Sequence, residues 1–422
     1  MTTAFPAVGI HALGVYPGRT FVDVPTVLRG RGLDTGRIAN LMMSTKSVSL
    51  PCEDPVTFAV NAAEPVVSAL PAATRARIEL LVLSTESGLD LSKSLANYVH
   101  RHLGLPSTCR VFEMKQACYS ATAALQTAAA VIAASPDPGA LALVINADAP
   151  HPVRRSYYEP SQGVGSVAAL IGQDPGLVRL ERGAYGLHSF EVMDSCRPRY
   201  TEEVVDTDRS LLAYLECAQK AFAHYCRKVP GTDLVDDFDL LAMHTPFGGM
   251  VKGAHRSLLR SLARLSPAEI DADFRRRVEP SIRYPQRTGN IYAGTVLLAL
   301  TSALAHSPHD RQRRIGVFSY GSGCASEFYA CTALPSPAAD TLRETVDADL
   351  RRRHRLEWEE YEQLAATAGL PAAGTRDADI DVGPYEKILA ATAGPRPRLL
   401  LAGVRGYHRE YRWEEPAACT PG

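Results

Sequence analysis

Three residues of different chemistry stand at comparable places along this chain. A carboxylate, Glu86, ends the apolar run LLVLSTE. A thiol, Cys118, heads the small-residue stretch CYSATAALQTAAAVIAA. An imidazole, His244, ends the apolar run LLAMHT. A cysteine ahead of a helix faces unpaired N–H groups and the positive end of the dipole, which favour thiolate and offer donors to an acyl oxygen. A carboxylate at the carboxyl edge of a buried strand, next to Gly88, sits where α/β sites are built, and burial there suits it to moving protons near neutral pH. The histidine precedes the strand-breaking Pro246, Gly248 and Gly249. Each residue has an ordinary alternative: an inert buried thiol, a helix-capping acid in STESGLDLSKSL, a satisfied core histidine. Together they are the groups needed for acyl transfer followed by carbon–carbon bond formation.

The elements that must hold them repeat. Apolar runs at 7–16, 80–85, 141–147, 165–172, 240–245 and 314–321 read as strands of a sheet covered on both faces. Helical patterns alternate with them at 90–103, 118–134, 208–228, 250–264, 290–306 and 343–368, which indicates α/β architecture. The order strand, polar residue, small-residue helix, strand occurs twice, through Glu86 and Cys118 and again through His244 and GNIYAGTVLLALTSAL. We therefore divide the chain into a half at 1–175 with the thiol, a half at 176–335 with His244, and an extension at 336–422 packed on the core.

Bulk properties exclude other classes. The 422 residues carry a net charge of −1, so no global field points to nucleic acid or membrane. The nine cysteines include no C-x-x-C pair, the amino terminus does not read as a signal peptide, and the apolar stretch 291–306 is too short to span a bilayer. A reducing, cytoplasmic compartment is expected. No G-x-S-x-G, P-loop or dinucleotide fingerprint occurs.

STESGLDLSKSLANYVHRHLGL, QACYSATAAL, HTPFGGMVKGAHR, GNIYAGTVLLAL and FSYGSGCASEF, in this order, resemble 3-hydroxy-3-methylglutaryl-CoA synthase. Segment 194–222 and the tail LAGVRGYHREYRW resemble its polyketide β-branching branch, whose members act on acyl carrier proteins. The resemblance implies a thiolase-like α/β fold, two duplicated halves in five αβαβα layers, and a homodimer. It implies that Cys118 accepts an acetyl group, that Glu86 moves the protons, and that His244 orients the acceptor carbonyl. Ser161, Ser210, Lys252, Asn290 and Ser322 match positions that line the substrate thioester and its phosphopantetheine arm; turn or capping chemistry is the alternative for Ser161 and Ser210. No metal or redox cofactor is implied. Lys252, Arg256 and Arg260, with Arg264 beyond, recur every four residues, a candidate dock for acidic carrier proteins or simply a solvated face. The competing functions are a mevalonate-pathway synthase using coenzyme A thioesters, a ketoacyl synthase or thiolase, and a non-catalytic partner of the same fold.

Overall fold

The computed structural model describes residues 6–199, 202–367, 371 and 373–416. Cys419 lies outside them. Nine strands form the central sheet: β1 Val8–Tyr16, β2 Ile78–Ser84, β3 Arg110–Met114, β4 Leu141–Asp148, β5 Gly165–Gln173, β6 Val178–Ser189, β7 Leu240–Met243, β8 Arg313–Gly321 and β9 Ala325–Ala333. In space they run β7-β8-β9-β6-β1-β5-β4-β2-β3. The duplication is written in that order. In the first half β2 lies parallel to β4, β5 returns antiparallel, and β1 pairs antiparallel with β5. In the second half β7 lies parallel to β8, β9 returns antiparallel, and β6 pairs antiparallel with β9. The first half carries one extra edge strand, β3. The half-sheets join where Gly9 and Ile10 of β1 meet Arg179 and Val178 of β6. Gly9 permits this approach, since a Cβ there would lie 1.9 Å from the Val178 carbonyl oxygen.

Five helices make the layers: α1 Pro55–Ser68, α2 Ser120–Ala134, α3 Thr207–Lys228, α4 Gly248–Leu262 and α5 Thr295–Ala305. α2 and α5 share one core with strands of both halves, through Ala121, Ala124 and Leu125 of the first and Val296, Leu297 and Leu300 of the second. α1 packs on the other face of the first half against Leu81 and Leu143. α3 and α4 pack on the outer face of the second against Leu241 and Phe318. The result is helix, sheet, helix, sheet, helix, the five layers of a thiolase-like fold. By composition Ala117–Ala134 is long and apolar enough to cross a membrane, a stretch the sequence reading passed over for 291–306; here its residues from Ser120 onward form the core helix α2.

Some elements depart from expectation. α1 carries Pro65 in its interior, which reads as a breaker, yet Asp54 and Thr57 close a capping box around Pro55 and start the helix. The helix expected at 90–103 shortens to Ala96–His102, and that at 343–368 becomes Ala338–Arg352 and Trp358–Thr367. The extension reaches back to the first half. Asn61 exchanges two hydrogen bonds with the Leu399 main chain at 3.1 and 2.8 Å, and Arg409 pairs with buried Asp54 at 3.3 Å.

Candidate active site

Cys118 stands ahead of α2 rather than in its first turn. Residues 116–119 form a tight turn in which Tyr119 N donates to Gln116 O and Ser120 N to Ala117 O, both at 3.1 Å. Ala117 holds φ at 44°, a region that non-glycine residues seldom occupy and that clusters at functional sites. Gly321, at the end of β8, brings the second half onto this turn. A Cβ there would lie 2.5 Å from Tyr119 N and 2.7 Å from Gln116 O.

The thiol donates to Glu86 Oε1 at 2.9 Å. Burial, then the neighbouring Glu86 carboxylate, push Cys118 well above the usual thiol range. This corrects the expectation of a thiolate favoured by a helix terminus: the nearby amides of Tyr119 and Ser120 are spent within the turn, and the nearest charge is negative. Burial and Asp148 also push the Glu86 carboxyl up, against the pull of Arg197. The arrangement is a stable thiol with one ready proton acceptor.

Asp148, at the end of β4 and fully buried, organises the Glu86 loop. Its Oδ1 accepts from Glu86 N (2.7 Å), Ser87 Oγ (2.8 Å) and Thr85 Oγ1 (3.0 Å). Its Oδ2 accepts from Ala293 N of the second half at 3.1 Å. Asp148 was absent from the sequence-derived candidates, although it ends the run LALVINAD much as Glu86 ends its own.

His244 follows β7 directly, the strand that corresponds to β2. Its N–H donates to Phe318 O (2.8 Å), and its carbonyl accepts from Tyr214 Oη (2.6 Å). The ring is buried with Nδ1 unpartnered. Burial holds its pKa down to about 3, so the imidazole is neutral at working pH and acts as a hydrogen-bonding group. No described hydrogen bond joins it to Cys118 or Glu86.

The family model described as hydroxymethylglutaryl-coenzyme A synthase C terminal matches residues 256–367. The polyketide biosynthesis 3-hydroxy-3-methylglutaryl-ACP synthase PksG of Bacillus subtilis (strain 168) is 44% identical over 415 residues, covering 96% of this chain and 99% of the relative. The chain belongs to the hydroxymethylglutaryl-CoA synthase family. The hydroxymethylglutaryl-CoA synthase of Enterococcus faecalis is 32% identical over 380 residues, covering 89% of this chain and 94% of that one. Among solved structures, the curacin biosynthetic pathway HMG synthase in complex with apo donor-ACP matches with a TM-score of 0.93 at 45% identity, covering 97% of this chain and 100% of the other.

In this HMG-CoA synthase relative the other expected residues divide. Asn290 is buried, and its Oδ1 accepts from Tyr292 N (2.9 Å) and Thr295 Oγ1 (2.8 Å). Asn290 N donates to Ser161 O at 2.7 Å, and Gly163 N to Asn290 O at 2.9 Å, so these two loops bridge the halves. The Ser161 hydroxyl itself is spent on Tyr158 O at 2.9 Å, which is turn chemistry. Ser322 is half-buried beside Gly321, next to the nucleophile turn. Ser210 lies in the first turn of α3, and Lys252 on α4 pairs with Asp271 at 2.7 Å; neither shares a hydrogen bond with Cys118, Glu86 or His244. Arg256 and Arg260 are exposed on α4 without ion pairs among the described residues, while Arg264 falls beyond the helix end. The four-residue spacing therefore leaves two free arginines on one face.

Proposed function

We propose that this synthase adds an acetyl unit, held as a thioester on Cys118, to the β-ketone of a polyketide intermediate on an acyl carrier protein, and then releases the branched acid from the enzyme by hydrolysis. The contact between the Cys118 thiol and the Glu86 carboxylate carries this reading. As the thiol attacks the donor thioester, its proton passes to Glu86, and the departing pantetheine sulfur takes a proton in return. Glu86, again ionised, removes a proton from the acetyl methyl, and the resulting carbon nucleophile bonds to the β-carbon of the acceptor. Glu86 returns the proton to the new alkoxide, toward which neutral His244 directs a ring N–H. Water then cleaves the thioester and restores the thiol. The steps ask nothing of a metal or redox cofactor.

Likeness supports carrier-bound over coenzyme A-bound substrates. Identity is 44% over nearly the whole chain to a carrier-protein synthase and 32% to the coenzyme A synthase of Enterococcus faecalis. The eight described cysteines are free, which supports a reducing, cytoplasmic setting. β3 is a partly exposed edge strand, which supports a homodimer that covers it. The experiment is intact-mass measurement after mixing with acetyl-carrier protein or with acetyl-CoA. An acetyl adduct on Cys118, formed faster from the carrier and lost in Cys118→Ser, is expected. Equal rates from the two donors would overturn the carrier preference, and an adduct on another cysteine the nucleophile.

A further inference from the structure

A two-stranded hairpin, Ser195–Arg199 and Glu202–Val205, lies against the Glu86 loop and carries a buried ion pair there. Arg197 Nη2 donates to Glu203 Oε2 at 2.7 Å, with the two side chains 15% and 5% exposed. Arg197 Nη1 donates to the main-chain carbonyl of Glu86 at 3.1 Å, and its guanidinium lies 5.3 Å over the Tyr292 ring. Glu203 Oε2 also accepts from Tyr292 Oη at 3.3 Å and from Gln162 Nε2 at 3.4 Å. Gln162 Nε2 in turn donates to Tyr292 Oη at 2.7 Å. The hairpin is thus tied to the loop bearing Glu86 and to the loop bearing Asn290. A buried ion pair costs more to desolvate than an apolar pair of the same size, so tying loops together does not by itself call for charge.

The position of the charges suggests why they are there. Arg197 bonds the Glu86 backbone and leaves the carboxylate to Cys118. An uncompensated guanidinium at that distance would hold Glu86 ionised and weaken it as a proton acceptor; Glu203 takes up that charge. We propose that Arg197 and Glu203 form a positioning pair, in which the guanidinium pins the Glu86 main chain and Glu203 neutralises it, so that the carboxylate facing Cys118 can both accept and return a proton. This inference rests on the acyl-transfer reading of the same site. The other groups facing Glu86 are Cys118 before α2, Asp148 from β4 and, through the pair, Tyr292. Burial keeps Tyr292 and nearby Tyr158 well above the usual phenol range and His151 below the usual imidazole range, so none competes for the charge.

The test is the ¹³C titration of glutamate carboxyls in the folded enzyme, with Glu86 assigned by its loss in Glu86→Gln. Glu203→Gln moves the Glu86 titration down by at least half a pH unit, Arg197→Met moves it up, and Arg197→Lys leaves it near wild type. The pH limb of condensation moves in the same directions. Shifts in one common direction, or none in variants with wild-type melting, overturn the pair. If Arg197→Met fails to fold, Glu203→Gln must still separate from Arg197→Lys, and coincidence of those two overturns it. Absence of any acetyl adduct on wild-type Cys118 would sink the functional reading, while the titration still decides the pair.

Discussion

Replacing Glu86 by glutamine should make Cys118 a better nucleophile toward an alkylating agent while destroying condensation. The thiol lies 2.9 Å from a carboxylate oxygen. Ionising it there creates two negative charges in contact. Even with the full screening of bulk water, that repulsion is about 1.4 kcal/mol, which is about tenfold in thiolate population; partial burial makes it larger. Glutamine keeps the shape, removes the charge and offers an amide donor to the thiolate. At pH 9, above the raised range of Glu86, iodoacetamide should therefore modify Cys118 at least about tenfold faster in the variant than in wild type. Peptide mapping identifies the site, and Cys118→Ser supplies the background from other thiols. The contrast should shrink as pH falls through the Glu86 range, because protonation then does to the wild type what glutamine does permanently. An unchanged or slower alkylation at pH 9 would refute the reasoning, since the carboxylate would then not be what holds the thiol proton.

Glu86→Ala should still form the acetyl adduct on Cys118, seen by intact mass, but more slowly than wild type because the thiol has lost its proton acceptor, and should lose condensation by about a hundredfold or more. Gly321→Ala should cost about 1–3 kcal/mol and slow acetylation, because its Cβ meets the main chain of the nucleophile turn, whereas Gly253→Ala, with open space around it on α4, should leave both melting and acetylation unharmed. His244 stays neutral in the fold down to about pH 3 but takes up a proton in the unfolded chain near pH 6.5. Its burial thus lowers stability progressively as pH falls from about 6.5 toward 3, by at most about 1.4 kcal/mol per pH unit, and thermal melts of His244→Gln should show a shallower acid loss. Reversing charge at Arg256 and Arg260 should raise KM for carrier-bound acyl groups, less so at high salt, and leave the slow reaction with a free pantetheine thioester unchanged. Equal effects on both substrates would mean that the arginine face is no dock.

The meeting of Glu86 and Cys118 was legible because each ends or begins an element whose period shows in the sequence. The duplication placed His244 at the point matching Glu86, and it does follow β7, though no described hydrogen bond joins it to the other two. The six strands read from apolar runs all form. β3, β6 and β9 were passed over because charged or small polar residues interrupt their apolar ones, and α1 because Pro65 sits inside it. Arg197 and Glu203 lie in segment 194–222, marked only by its resemblance, and their contacts could not be read: Arg197 reaches Glu86 across 111 positions of chain. The ion pair of Lys252 was hidden for a related reason. Its helix-face spacing was visible, but its partner Asp271 comes from the following helix.

The grip of the extension on the first half bears on how the protein is made. Arg19 donates to Leu389 O and Thr392 Oγ1, Asn61 bonds the Leu399 main chain, and Asp54 pairs with Arg409 and Tyr411. Until residues 389–414 have emerged from the ribosome, those early groups have only water for partners, and burying a charge without its counterpart costs about 3–5 kcal/mol. The amino-terminal half therefore completes these contacts only after the extension has been made, although domains commonly fold in turn during synthesis. A ribosome that stalls late would leave an exposed chain for quality control to remove, not a half-built synthase able to take up acetyl groups from the pathway.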